Sequence, residues 1–205
     1  AIQKGHVGNP YRRSVFGVGY LGEGKYIASR NNRKLYNCWM HMLERCYSEE
    51  YHKLCPTYKD CEVCEEWHNF QNFAKWYEEN YYEIDDVYET HLDKDILIKG
   101  NKIYSPETCV FVPENINSLF IKRSNHRGES GILGITLENG SYKAYCGNGH
   151  NTQVYLGMFK DKNMAFITYK RYKENILKQV ADEYKDKIPK KLYDAMYSYE
   201  VEITD

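Results

Sequence analysis

The chain has 205 residues with 28 basic and 29 acidic side chains, a formal net charge of −1. That length suits one medium domain or two small ones, and 42% hydrophobic against 28% charged residues lies far from chains that stay disordered. No apolar run approaches the roughly 18 residues of a spanning helix, and the opening AIQKGHVGNPYRR lacks the apolar stretch of a secretory signal, so membrane-spanning and secreted-miniprotein classes are excluded.

The near-zero sum hides segregation. Residues 1–47 carry 8 basic and 2 acidic groups, residues 48–95 carry 4 and 14, and residues 96–205 carry 16 and 13. A basic head and a mildly basic tail therefore flank an acidic middle, and each segment implies its own partner chemistry.

Residues 14–28, SVFGVGYLGEGKYIA, mix glycines with aromatics and predict a short hairpin or extended arm. From Lys34, Leu35, Trp39, Met42, Leu43 and Cys46 recur at spacings of three and four, which predicts an amphipathic helix. Residues 48–61, with Pro56, read as a turn-rich loop. A second helix is expected to gather Trp67, Phe70, Phe73, Ala74 and Tyr77 on one face and Glu65, Glu66, Glu78 and Glu79 on the other.

Seven cysteines in a chain without a secretion signal read as reduced thiols. Cys55, Cys61 and Cys64, with Cys46, His52 and His68 nearby, could assemble a structural zinc site. The other reading makes them small buried core residues.

Residues 91–119 show two strand-like runs, HLDKDIL and CVFVP, around a loop with GNK and SP signals, and ENINSL opens a short helix. The stretch IKRSNHRGES (121–130) reads as a basic linker. ILGITLE, Asn139-Gly140 and SYKAYC form a hairpin with the strongest two-residue turn signal, and TQVYLGMF supplies a third strand. Asp161 caps a long helix with Ala165, Tyr169, Tyr172, Ile176 and Val180 inward, and Pro189 starts one more.

Two resemblances meet at these residues. LDKDILIKGNKIYSPETCVFVPENIN resembles the HNH nuclease motif of phage and intron homing endonucleases. Residues 131–183, with ILGITLENGSYKAY, YLGMF and the Ala165 helix, resemble the Apetala-type (ethylene-response-factor-like) DNA-binding domain. The pairing is familiar in phage and prophage proteins, and WMHMLERCY, CEVCEEW and NFAKW also look like theirs. Together these imply an α+β fold. A helical N-terminal region would lead into a ββα, HNH-like element, followed by a three-stranded antiparallel sheet packed on a helix. The implied parts are a basic arm (1–33), a helical plus HNH-like domain (34–120), a basic linker (121–130) and an Apetala-like domain with its C-terminal helix (131–205).

In an HNH site an Asp and a later Asn or His ligate one divalent metal, and a central His deprotonates the attacking water. The resemblance places Asp93 at the Asp and Asn117 at the final Asn, with Mg or Mn as the implied ion. Lys94 stands where the His belongs, and a lysine at its ordinary pKa of about 10.4 is a poor base. Asp95 follows, and His91, two residues before Asp93, shares its face of a strand. Thr108 replaces the family's central Asn. The resemblance thus implies either a nicking endonuclease with a variant site at His91, Asp93, Lys94, Asp95 and Asn117, or a catalytically inactive regulator or inhibitor built on that scaffold.

For the Apetala-like part, Tyr142, Lys143, Tyr145, Gln153 and Tyr155 are the implied DNA-contacting side chains. Lys122, Arg123 and Arg127 of the linker would add phosphate contacts. The basic head (Arg12, Arg13, Lys25, Arg30, Arg33, Lys34) offers a further surface. The expected partner is double-stranded DNA. The acidic segment 48–95 suits a basic host protein, as in a phage counter-defence factor, and the implied location is the cytoplasm of a bacterial host.

Overall fold

The computed structural model describes residues 8–28, 32–84, 89–121, 128–150 and 152–205. The chain divides into two compact units that are not consecutive in sequence. The first comprises residues 1–82 and 92–111, and the second comprises residues 83–91 and 112–205.

The first unit begins with an arm in which Val15 bridges Gly19 and Tyr20 bridges Asn69. Helix α1 (Arg33–Tyr47) buries Trp39, Met42, Leu43 and Cys46, the stripe expected from the apolar spacing. Where a loop is expected, Ser48 starts a second helix, α2 (Glu49–Leu54). Its hydroxyl accepts from the Tyr51 amide at 3.3 Å, and Glu49 and Glu50 lie in the first turn, where the helix dipole favours them. A 3-10 turn (Pro56–Tyr58) leads to strand β1 (Glu62–Val63).

Trp67 lies in a further 3-10 turn rather than in the second long helix, because Asn69 caps that helix one residue before Phe70. Helix α3 (Phe70–Asn80) buries Phe70, Phe73, Ala74 and Trp76, and Tyr77 is only half-buried. Trp39 of α1 ties that helix to the turn before α3 by donating its indole N–H to the Trp67 carbonyl at 2.7 Å. Trp67 in turn packs on Phe73 and Trp76, with ring centroids at 5.1 and 4.7 Å.

Strand β2 (Thr90–Asp93) is followed by β3 (Ile103–Tyr104), β4 (Val110–Pro113) and α4 (Glu114–Phe120). β2 pairs with β4, and the boundary between the units runs through both strands. β3 pairs in parallel with β1, Glu62 opposite Ile103 and Val63 opposite Tyr104. Two-residue strands of this kind leave no periodicity to read.

The second unit is built on an antiparallel sheet of β5 (Ile135–Glu138), β6 (Ser141–Gly147) and β7 (Gln153–Phe159), packed against α5 (Lys162–Glu183). Asn139 and Gly140 both have positive φ, +50° and +70°, the tight hairpin turn their pairing predicts. Asp161 caps α5 by accepting from the Met164 amide at 2.8 Å. Ile132, Ile135, Cys146, Ala165, Tyr169 and Val201 form the core between sheet and helix. Helix α6 (Lys190–Tyr197) buries Leu192 and Met196 and packs on α5. The fold is therefore α+β, helical towards the N-terminus and with a helix-backed three-stranded sheet towards the C-terminus. Among the described residues no helix is long and apolar enough to cross a membrane.

Gly134 precedes β5 with φ +73°, and a Cβ there would meet the Tyr169 ring and lie 2.6 Å from the Tyr145 carbonyl oxygen. Gly134→Ala combines backbone strain with overpacking and should cost about 2–4 kcal/mol. Chemical denaturation measures this as a lower midpoint at unchanged slope, and a loss under about 0.5 kcal/mol would contradict it.

Candidate functional site

Two regions carry the chemistry expected from sequence, and each lies among its own neighbours. In the first unit, Asp93 ends β2 and its Oδ1 accepts the backbone N–H groups of Asp95 and Ile96, both at 2.8 Å. Its carboxyl therefore holds the turn that leaves the strand. Burial, joined by the neighbouring Asp95 charge, pushes its pKa upward, against the pull of those two N–H donors.

Lys94 points inward and is only 7% exposed. Its ammonium lies 3.1 Å from Asp95 Oδ2 and 5.7 Å from the ring centres of both Tyr58 and Tyr104. Burial works most strongly against its charge, but Asp95, Cys61 and Tyr58 together outweigh it and hold the pKa above the ordinary lysine value. Arg45 approaches the same Tyr58 ring, with Cζ 5.9 Å from its centre. Lys94, which the HNH resemblance aligns with the general base, is thus part of a cation–tyrosine cluster in the interior of the unit.

Asn101 of the GNK loop and Thr108 are engaged in the same loop. Asn101 donates its amide to the carbonyls of Lys94 and Ile103, both at 2.7 Å. Thr108 donates its hydroxyl to the Ile103 carbonyl at 2.7 Å and accepts the Ser105 amide at 3.1 Å. Asp93, Asn101 and Thr108 together knit residues 93–109 into a fixed loop.

His91 and Asn117 belong to the second unit, His91 on β2 and Asn117 on α4, and both are half-exposed. Asn115, two residues earlier, is buried and donates to the Tyr184 hydroxyl at 2.7 Å. Among the described residues no group of three or more His, Cys, Asp and Glu side chains is placed to hold a metal.

All seven cysteines are free thiols. Cys61 is buried and Cys55 and Cys64 are half-buried. Burial raises the pKa of both Cys61 and Cys64. One nitrogen of each nearby histidine ring meets a backbone carbonyl, and the Nδ1 of His68 is buried without a hydrogen-bond partner among the described residues. His68 Nε2 lies 3.1 Å from the Val63 carbonyl oxygen, and His52 Nε2 lies 2.9 Å from that of Arg45.

The second region is the sheet of the second unit, whose register sorts the candidate DNA contacts by face. Ile135–Ala144–Gly157, Leu137–Tyr142–Phe159 and Cys146–Val154 are cross-strand neighbours on the face that covers α5. Thr136–Lys143–Met158, Tyr145–Tyr155 and Gly147–Gln153 are neighbours on the opposite face. Lys143, Tyr145, Gln153 and Tyr155 therefore share one surface. Tyr142 does not: it packs into the core between sheet and helix.

On the open surface the Tyr145 and Tyr155 rings lie 5.2 Å apart at 48°, and Tyr155 is 53% exposed. Lys143 pairs with Glu138 at 2.6 Å, and that bond holds its pKa above the ordinary value. Lys160 donates to the Ser141 hydroxyl at 2.9 Å. Met158, 59% exposed, extends the apolar part of this face and was not singled out by sequence. The reason is a bulge: Ala144 faces Gly157 and Tyr145 faces Tyr155, so Leu156 is extra and simple alternation along β7 fails.

Of the remaining DNA candidates, Lys122, Arg123 and Arg127, like Arg30 of the head, lie outside the described residues. Arg12, Arg13, Arg33 and Lys34 are exposed, and Lys25 is bound to Glu78 at 2.9 Å. Glu79 of α3 is exposed, as the helical pattern predicts, and so are Glu65 and Glu66, which lie in the 3-10 turn before that helix. No protein-family model, curated protein or solved structure matches the chain.

Proposed function

We propose that the protein binds double-stranded DNA through the open face of its three-stranded sheet, as a phage-type relative of HNH homing endonucleases in which the HNH-like region is structural. The observation that carries the reading is the shared face of Lys143, Tyr145, Gln153 and Tyr155, opposite the helix. Tyrosine hydroxyls and a glutamine amide can bond base edges or phosphate oxygens, and exposed rings add contact area at little entropic cost. The lysine is shared with Glu138, so the sheet supplies little net charge and affinity should depend only weakly on salt. The silent form is favoured over the nicking form because Lys94 is buried and Asp93 is committed to two backbone amides.

Fluorescence anisotropy of a labelled duplex at low salt tests the binding. Tyr145→Ala/Tyr155→Ala should weaken it about 10-fold or more while the variant remains cooperatively folded at the assay temperature, and Tyr155→Ala alone, at an exposed position, should weaken it with little change in the thermal midpoint. Absence of duplex binding by the intact chain, or full affinity in the double variant, would remove the proposal. Supercoiled plasmid incubated with Mg²⁺ or Mn²⁺ should remain intact. Nicking that disappears in Asp93→Asn would instead establish the endonuclease.

A further inference from the structure

The open face of the three-stranded sheet carries a selective set of side chains. One row runs Thr136–Lys143–Met158 across all three strands, and Gln153, the first residue of β7, stands beside Gly147. Thr136, Gln153 and Met158 are exposed. The Gln153 amide has no hydrogen-bond partner among the described residues.

Base edges in the major groove differ in their donors, acceptors and methyl groups. Guanine is read by a cation at O6 and N7, and cytosine by a carboxylate at its N4 amine. The strands of this sheet contain no arginine. Their one lysine, Lys143, and their one carboxylate, Glu138, are bound to each other at 2.6 Å, so either would have to give up that bond to address a G·C pair. The groups left over suit A·T pairs. A glutamine amide can donate to N7 of adenine and accept from its N6 amine, and the methyl groups of Thr136 and Met158 offer apolar contact to the C5 methyl of thymine. Width favours the same groove. Three strands about 4.8 Å apart make a face roughly 10 Å across, which suits a major groove of about 12 Å and exceeds a minor groove of about 6 Å.

We propose that the open sheet face selects A·T-rich duplex through the major groove, Gln153 reading adenine and Met158 with Thr136 reading thymine methyl groups. This specificity rests on the reading that the face binds DNA. It also gives the exposure of Met158 a use, since thymine methyls would cover in the complex what water touches in the free protein.

Fluorescence anisotropy of the full chain with duplexes of equal length tests the specificity. A duplex of A·T pairs should bind at least about tenfold more tightly than one of G·C pairs. Deoxyuridine in place of thymine removes only the methyl groups and should cost about fourfold or more. Adenine replaced by 7-deazaadenine loses N7 and should cost about fivefold or more. Thr136→Ser/Met158→Ala should lose most of its response to deoxyuridine, and Gln153→Ala most of its response to 7-deazaadenine, while all three exposed positions leave the chain folded. No affinity for any duplex would remove the DNA reading and this specificity with it. Binding without base preference, or a preference for A·T pairs that survives both analogues, would overturn the specificity and leave DNA binding by the sheet intact. An undiminished response of the variants to their analogues would overturn it likewise.

Discussion

Replacing Lys173 by methionine is expected to stabilise the protein by about 1–4 kcal/mol at neutral pH. Lys173 lies in the middle of α5 with 9% of its surface exposed, and among the described residues its ammonium has no hydrogen-bond or ion-pair partner. Burial lowers its pKa below the ordinary 10.5, and the nearby Cys146 thiol opposes that shift only in part. A methionine of similar length keeps the packing and removes the buried charge.

The pH dependence follows from the direction of the shift. Between the lowered folded value and 10.5 the unfolded chain binds more protons than the folded one, so the stability of the unaltered protein rises with pH across that window. Lys173→Met lacks that rise. The advantage of the variant should therefore be largest near neutrality and shrink as the pH approaches 10. Urea denaturation at several pH values measures both, and a variant less stable at pH 7 would show that the ammonium is compensated after all.

Asp93 offers the second large effect, and two substitutions separate its possible roles. Asp93→Asn retains an Oδ1 that can accept the Asp95 and Ile96 amides, and it removes a charge that burial disfavours. It should leave stability unchanged or raise it by up to about 1 kcal/mol. Asp93→Ala leaves two amides without their acceptor and should cost about 1–3 kcal/mol. Equal stability of the two variants would mean that the turn does not depend on this carboxyl, and a metal-ligand role would regain ground.

Much of the fold can be read from local pattern. α1 and the sheet hairpin follow from apolar spacing and from Asn139-Gly140, and α5 begins where Asp161 places it. Short elements escaped such reading. α2 depends on a single Ser48 hydroxyl, and β1 and β3 meet across forty residues of sequence, which no local window contains. Helical spacing put Tyr172 inward, and it does pack against the core, but it did not reveal that Lys173 is buried beside it, because a lysine at a core-facing position has no apolar signature.

The candidate sites show the same division. Strand alternation placed Lys143, Tyr145, Gln153 and Tyr155 on one surface but also offered Tyr142, whose face is set by pairing with Leu137 and Phe159. The inward turn of Lys94 depends on Tyr58 and Tyr104, distant in sequence and brought together only by the fold. A cleft in the first unit, lined in part by Lys25, Arg33 and Tyr81, could not be read at all. Lys25, Arg33 and Tyr81 come from three elements, and the bonds of Gln71 and Glu78 to Lys25 and Tyr26 hold the arm beside α3.

The interrupted course of the first unit bears on how the chain acquires its shape as it leaves the ribosome. Synthesis proceeds from the N-terminus, and an N-terminal domain usually folds as soon as it is whole. Here the segment through Tyr82 emerges without Phe111, against which Trp76, Tyr77 and Tyr81 rest, and without Ile103–Tyr104, the partner of Glu62–Val63. A nascent chain halted at residue 82 would carry an uncovered aromatic surface and an unpaired strand. Closure of this unit waits on residue 111, so a chaperone that binds exposed rings would find its target during that interval.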